Sequence, residues 1–350
     1  MLRPPYLVGS IAALTLSAGL TLQAGQQTAS PLITVDAIAR DGRGAFVGDL
    51  SKDDFVVREA GVAQDVATLV VSRGGRVEDL TPEATPPAQT ELPRLPGSSG
   101  VPGRFVLFVI DDLHLDFVNT GRLRDLLKRI EAAVIHEGDL LAAVSTGPSS
   151  VAVDLTYDRK RLQEAIGRMS GSGLPSADII ASASRSSEVR SRARIALVTA
   201  EQVIASFGKV RDRRKTVILV SNGYDAPLAG EAAALTRAAK LANAAIYTFD
   251  ARELLAAQDA AQPADSAALT AHRRATLDSL LTMSEQTGGF TVLTRESVDA
   301  ALARIDAETG DYYVIGYRAK AVEGPAPTLP LEISVRRPGV EVRHRPSAGR

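Results

Sequence analysis

Phe105-Val106-Leu107-Phe108-Val109-Ile110-Asp111-Asp112-Leu113-His114-Leu115-Asp116 is the stretch from which the fold is read. Residues 105–110 form an unbroken apolar run with no polar face, as expected of a strand buried on both sides of a parallel sheet. The run then stops in carboxylates. Outward from it, strand and helix signals alternate. The apolar positions Leu123, Leu126, Leu127, Ile130 and Val134 predict a helix over 119–136. Further strands are expected at 140–146, 216–220, 245–249 and 290–293. Further helices are expected at 158–169, 179–207, 230–242, 266–286 and 296–307, the long second one with apolar positions at Ile195, Val198 and Val203. This alternation predicts an α/β fold over 104–308, a doubly wound, mostly parallel sheet flanked by helices.

The flanks read differently. Residues 31–75 carry short alternating strands, and 311–345 return to strand alternation. The two segments are expected to form one small antiparallel β module around the central domain. Residues 79–103 hold six prolines, among them Pro86-Pro87, around Gly97-Ser98-Ser99-Gly100, and read as an extended linker. Residues 1–25 place Arg3 before an uncharged apolar run, 6–22, followed by small residues at Ala24 and Gly25. That is the layout of a secretory signal, so the chain is expected to be exported, periplasmic or extracellular; an uncleaved anchor is the alternative. No later segment is apolar for long enough to span a bilayer.

Composition narrows the chemistry. The 350 residues include 40 Lys and Arg against 41 Asp and Glu, a formal net charge of −1. So even a balance argues against a nucleic-acid-binding face. The absence of cysteine excludes disulfides, thiolate metal sites and cysteine nucleophiles. No glycine-rich phosphate loop follows any expected strand, which excludes nucleotide binding by that route. The basic run 211–215 and the arginines of the 179–207 helix read as solvated surface.

In an open α/β sheet, ligands lie outside the carboxyl ends of the strands. Those ends carry Asp111-Asp112-Leu113-His114-Leu115-Asp116, then Ser221-Asn222-Gly223-Tyr224-Asp225, then Asp250-Ala251-Arg252. With "VILVSNGYD", "AIYTFDAR" and "LLTMSEQTGGF" following in order, the chain resembles a von Willebrand factor type A domain. The phrases "LSKDDFVVREAG" and "GDYYVIGYR" further resemble the related proteins common in Acidobacteria. The resemblance covers about residues 31–345. It implies protein–protein binding or adhesion at the strand ends, through a metal-ion-dependent site of Asp-x-Ser-x-Ser, a threonine and a later aspartate. Asp111 holds the first position, while Leu113 and Leu115 stand at the serines. The 171–176 loop has no threonine, and Asn222 replaces the later aspartate. The adhesion site is therefore expected to be degenerate.

A rebuilt set is also conceivable: Asp112, His114 and Asp116 lie two apart, so an extended segment aims all three to one side, and Asp225 adds a fourth ligand. With Asp111, these five are the candidate ligands, and Mg²⁺ or another divalent cation is the cofactor they would take. No other cofactor is implied. The expected partner-binding residues are Asp111, Asp112, His114, Asn222 and Asp225, facing an unidentified protein, and no enzyme activity is expected. One alternative is an envelope hydrolase with His114 as base and Ser221 as nucleophile. The other is a structural or assembly factor pairing through an edge of the β module.

Overall fold

The computed structural model describes residues 32–74, 76–81, 104–147, 149–173, 183–209, 215–225, 228–256, 267–320 and 329–346. The expected signal, the linker from residue 82 on, residues 174–176 of the candidate loop and 211–214 of the basic run lie outside them. Pro31–Arg350 forms one compact unit.

The apolar run becomes β5 (Phe105–Ile110), buried along its whole length. Its alternate residues feed two cores. Val106, Phe108 and Ile110 join one, Phe105, Leu107 and Val109 the other, so the strand is covered on both faces. It pairs in parallel with β6 (Leu140–Ser145) and β8 (Lys215–Ser221), and β8 with β9 (Ala244–Asp250). A two-residue strand β10 (Thr291–Val292) extends that edge in parallel. The other edge is β7 (Ala152–Thr156), antiparallel to β6 and not anticipated from sequence.

Helices α1 (Thr120–Val134), α2 (Arg159–Arg168), α5 (Ala251–Leu255) and α7 (Val298–Gly310) contribute to the first core. Helices α3 (Ala183–Ser206), α4 (Ala229–Leu241) and α6 (Ala267–Thr287) contribute to the second. The apolar stripe of α1 is buried as its spacing demands. In α3 the inward face is Ala193, Ala196, Leu197, Ala200 and Ile204, with Val203 packed partly against the same core, while Ile195 faces solvent. Small alanines let this helix lie close to the sheet, so the bulkiest residues did not mark its buried side. No helix among the described residues is long and apolar enough to cross a membrane.

The larger sheet overturns the expected fold class. Among the described residues it has seven antiparallel strands, ordered β12-β2-β3-β11-β1-β13, with β4 on β3. These are β1 (Leu32–Asp41), β2 (Phe55–Glu59), β3 (Val62–Arg73), β4 (Arg76–Asp79), β11 (Tyr312–Arg318), β12 (Leu331–Val335) and β13 (Val340–His344). The path nearly closes on itself, because β12 and β13 meet: the Leu331 amide donates to Pro346 O at 2.9 Å. The chain is therefore not a doubly wound, mostly parallel sheet with a small appendage. It joins a large, almost barrel-like antiparallel sheet to a smaller mixed one. The appendage was underestimated because its strands come from both ends of the chain and each looks short alone. Paired, they enclose their own core, with Val35, Ala37, Leu69, Val71, Tyr313, Ile315 and Tyr317 fully buried.

The two sheets are tied by polar links. Ser72 Oγ donates to Gly310 O at 2.8 Å. Arg345 reaches Lys240 O at 2.8 Å and Thr34 O at 2.6 Å. Glu308, buried on α7, accepts from Tyr247 Oη of β9 at 3.1 Å, from Arg304 Nε at 2.8 Å and from Arg343 of β13.

Candidate functional site

The carboxyl ends of β5, β6 and β8 lie side by side, and their backbones are stitched there. The Asp111 amide donates to Val220 O at 3.0 Å and the Thr146 amide to Ile110 O at 3.0 Å. After Ile110 the chain does not stay extended. It turns back, the His114 amide reaching Asp111 O at 3.1 Å. A turn places residues three apart together, so Asp111 meets His114, and Asp112, His114 and Asp116 do not share one side. That local geometry undoes the two-apart ligand set.

Asp111 is fully buried, and both of its oxygens are used. Oδ2 lies 2.7 Å from His114 Nδ1 and accepts from Ser221 Oγ at 2.7 Å. Oδ1 accepts from Thr146 Oγ1 at 3.1 Å. The Tyr224 hydroxyl completes the cluster, and its ring stands edge-on to His114 with centroids 5.6 Å apart. Burial pushes the Asp111 carboxyl up. The His114 charge and the hydrogen bonds from His114, Ser221 and Tyr224 outweigh it and hold the group below the usual carboxylate range. Tyr224 is pushed far the other way, first by burial and then by the Asp111 charge.

Asp112 faces a different environment. Its Oδ2 accepts from the Ser149 amide at 2.8 Å, and burial raises its carboxyl in spite of that bond. Asn222 donates Nδ2 to His114 O at 2.6 Å, fixing the turn instead of facing a ligand. Asp116 starts the 3-10 turn Phe117–Asn119. Asp225 lies half-buried near His272, whose imidazole is lowered by burial and by the charges of Arg252 and His114, against the pull of Asp225. Leu113 and Leu115 are packed inward.

Gly171 explains part of the neighbouring loop. A methyl there would sit 2.4 Å from Leu115 O, so only glycine lets 171–173 lie against the turn. That loop's Ser172 amide donates to Asp112 O at 3.0 Å.

Among the described residues no three His, Asp or Glu side chains converge as a cation would need. Asp111, Asp112, His114, Asp116 and Asp225 therefore lie at the same strand ends without forming one coordination sphere. The donor set is incomplete for the cation the resemblance implies: Asp111's oxygens are already spent and Leu113 and Leu115 have none to offer, while the buried Oδ1 atoms of Asp112, Asn222 and Asp225 have no hydrogen-bond partner among the described residues. Ser221 is spent too. It is fully buried, its hydroxyl donating to Asp111 while its Oγ accepts from the Gly223 amide at 3.0 Å. A nucleophile needs its hydroxyl directed at the base.

Sequence reasoning missed Thr146, Tyr224 and His272, and also Phe117 and Val118. The last two follow the turn directly and are 68% and 78% exposed. Two adjacent apolar residues between Asp116 and Asn119 were the readable signal.

Gly223 sits at φ +77°, where a methyl would lie 2.1 Å from Thr276 O. Gly223→Ala is expected to cost about 2–3 kcal/mol, from positive φ and overpacking together. A urea midpoint shift measures it, and an unchanged midpoint would contradict the packing described.

No protein-family model matches the chain, and no curated protein does. Among solved structures it is similar to the N-terminal domain of TFIIH p34, at 13% identity, covering 57% of this chain and 96% of that one, with a TM-score of 0.31. A D319A mutant of the PilB minor pilin from Streptococcus sanguinis is similar at 8% identity, covering 81% and 88%, with a TM-score of 0.34. An uncharacterised membrane-spanning protein from Vibrio fischeri is similar at 19% identity, covering 58% and 98%, with a TM-score of 0.19. At these scores the likenesses assign neither family nor function.

Proposed function

We propose that this is an exported, non-enzymatic binding protein of the von Willebrand factor A type, which engages a protein partner through its strand-end face without a metal ion. The observation that carries the reading is the exposed pair Phe117-Val118, standing beside the buried Asp111–His114 turn. Large apolar side chains held in solvent on a rigid turn are what an interface anchors itself with. The interior of the turn supports the same reading. The imidazole of His114 occupies Asp111 Oδ2 at 2.7 Å, on the carboxylate with which the family would hold a divalent cation. The partner expected is a folded protein presenting an apolar patch.

Photo-crosslinkers placed at 117 and 118, with Ile195 on α3 as a solvent-facing apolar control, test the reading in cells that make the protein. A discrete adduct from 117 or 118 and none from 195 is expected. The same adducts from all three positions, or none, would remove the basis for this interface. Calorimetric titration of Mg²⁺, Mn²⁺ and Ca²⁺ into the full chain is expected to give no heat that the shape-preserving Asp111→Asn abolishes. Micromolar binding lost in that variant would restore the metal-dependent form of the site.

A further inference from the structure

His344 lies at the seam where the antiparallel sheet closes. Its Nδ1 is 2.7 Å from Arg345 O, and a carbonyl oxygen only accepts, so Nδ1 carries the proton. Its Nε2 accepts from the Ile333 amide at 3.1 Å. Only the neutral, Nδ1-protonated ring satisfies both bonds. Strands β12 and β13 are the two ends of the sheet path, each paired elsewhere, β12 to β2 and β13 to β1. Between them the imidazole stands in for a ladder bond, beside the Leu331–Pro346 link.

The geometry points to a proton-operated seam: protonation of His344 turns its acceptor nitrogen into a donor facing the Ile333 N–H, and the β12–β13 closure opens. Two N–H groups directed at each other cannot bond, and water must separate them. The surrounding charges do not prevent this. His344 is paired with Ala37 of β1, so Asp36 projects from the opposite face, as Glu332 does beside Ile333. Arg343 and Arg345, its neighbours on β13, are held by Glu308 and by backbone carbonyls on that same opposite face. On the inner face β11 offers Tyr313, whose hydroxyl donates to Val47 O and accepts from the Leu50 amide. Buried Glu59 of β2, opposite Leu331, is the carboxylate that the register places on the inner face. Opening frees one edge on each of β12 and β13, where another strand can add.

Hydrogen exchange resolved at single amides of the full chain tests the seam. Ile333 protection, relative to the unstructured rate at each pH, is expected to fall about tenfold or more from about pH 7.5 to about pH 5. Protection at Val35, inside the β1–β11 ladder, stays constant. His344→Gln presents an oxygen that accepts at any pH, so its Ile333 protection is expected to be flat across the range. Flat protection in the unmodified chain, or an equal fall in His344→Gln, overturns the proposal. Ring ¹⁵N shifts of His344 test it without any variant: the Nδ1–H tautomer near neutral pH is expected, and the Nε2–H tautomer overturns it.

Discussion

Asp111→Ala is expected to lose about 4–5 kcal/mol of folding stability, a third or more of what a domain commonly has. The substitution removes the acceptor of His114 Nδ1, Ser221 Oγ and Thr146 Oγ1 at once, in a place from which water is excluded. Each stranded donor keeps its desolvation cost, and the imidazole loses the charge that balances it. Asp111→Asn keeps the shape and removes the charge, and so isolates a pH effect. The folded protein holds this carboxyl below its ordinary value, so the stability it contributes is complete above the ordinary carboxylate range. That stability is lost as pH falls through the lowered value. The urea midpoint of the unmodified protein should therefore drop from about pH 4 downward more steeply than that of Asp111→Asn. Parallel acid limbs in the two proteins would show that the His114–Asp111 pair is not ionised in the fold.

Glu308→Ala is the second large loss, expected at about 3–4 kcal/mol. One buried carboxylate here takes bonds from three elements: Tyr247 of the mixed sheet, Arg304 of its own helix and Arg343 of the antiparallel sheet. The arginines are partly solvated and recover some of the cost in water; the Tyr247 hydroxyl is buried and does not. Glu308→Gln preserves an acceptor for Tyr247 and should lose about half as much. Equal losses in the two variants would assign the effect to packing. A loss below about 1 kcal/mol in the alanine variant would mean that the two sheets are held by their other links.

The central strands were legible because their signal is local. An apolar run such as 105–110 has one stable fate, burial on both faces, and the stripe of α1 repeats at the helical period. The antiparallel sheet was not legible at its true size, because its pairings join residues nearly the whole chain apart, Leu32 to Arg318 among them. No window of sequence contains such a pair. Strand β7 was missed because only one of its five residues, Val153, is buried, as befits an edge. At the site, the position of Asp111, Asp112, His114, Asn222 and Asp225 at the strand ends could be read, since strand ends follow from strands. Their partnerships could not. The tight turn after Ile110 pairs residues three apart, and Thr146, Ser221 and Tyr224 reach Asp111 from other strands.

The path of β1 imposes an order of events on the chain. Its neighbours in the sheet are β11 and β13, which begin at Tyr312 and Val340. β1 thus waits for strands that begin only at Tyr312 and Val340 before its ladders can form, while every described strand of the mixed sheet is made earlier. Until then Ile33, Val35 and Ala37 stay in water or in the care of a chaperone. Closing so distant a contact is slow. A polypeptide cut short just before Tyr312 keeps every strand of the mixed sheet but leaves β1 as a bare, sticky ribbon.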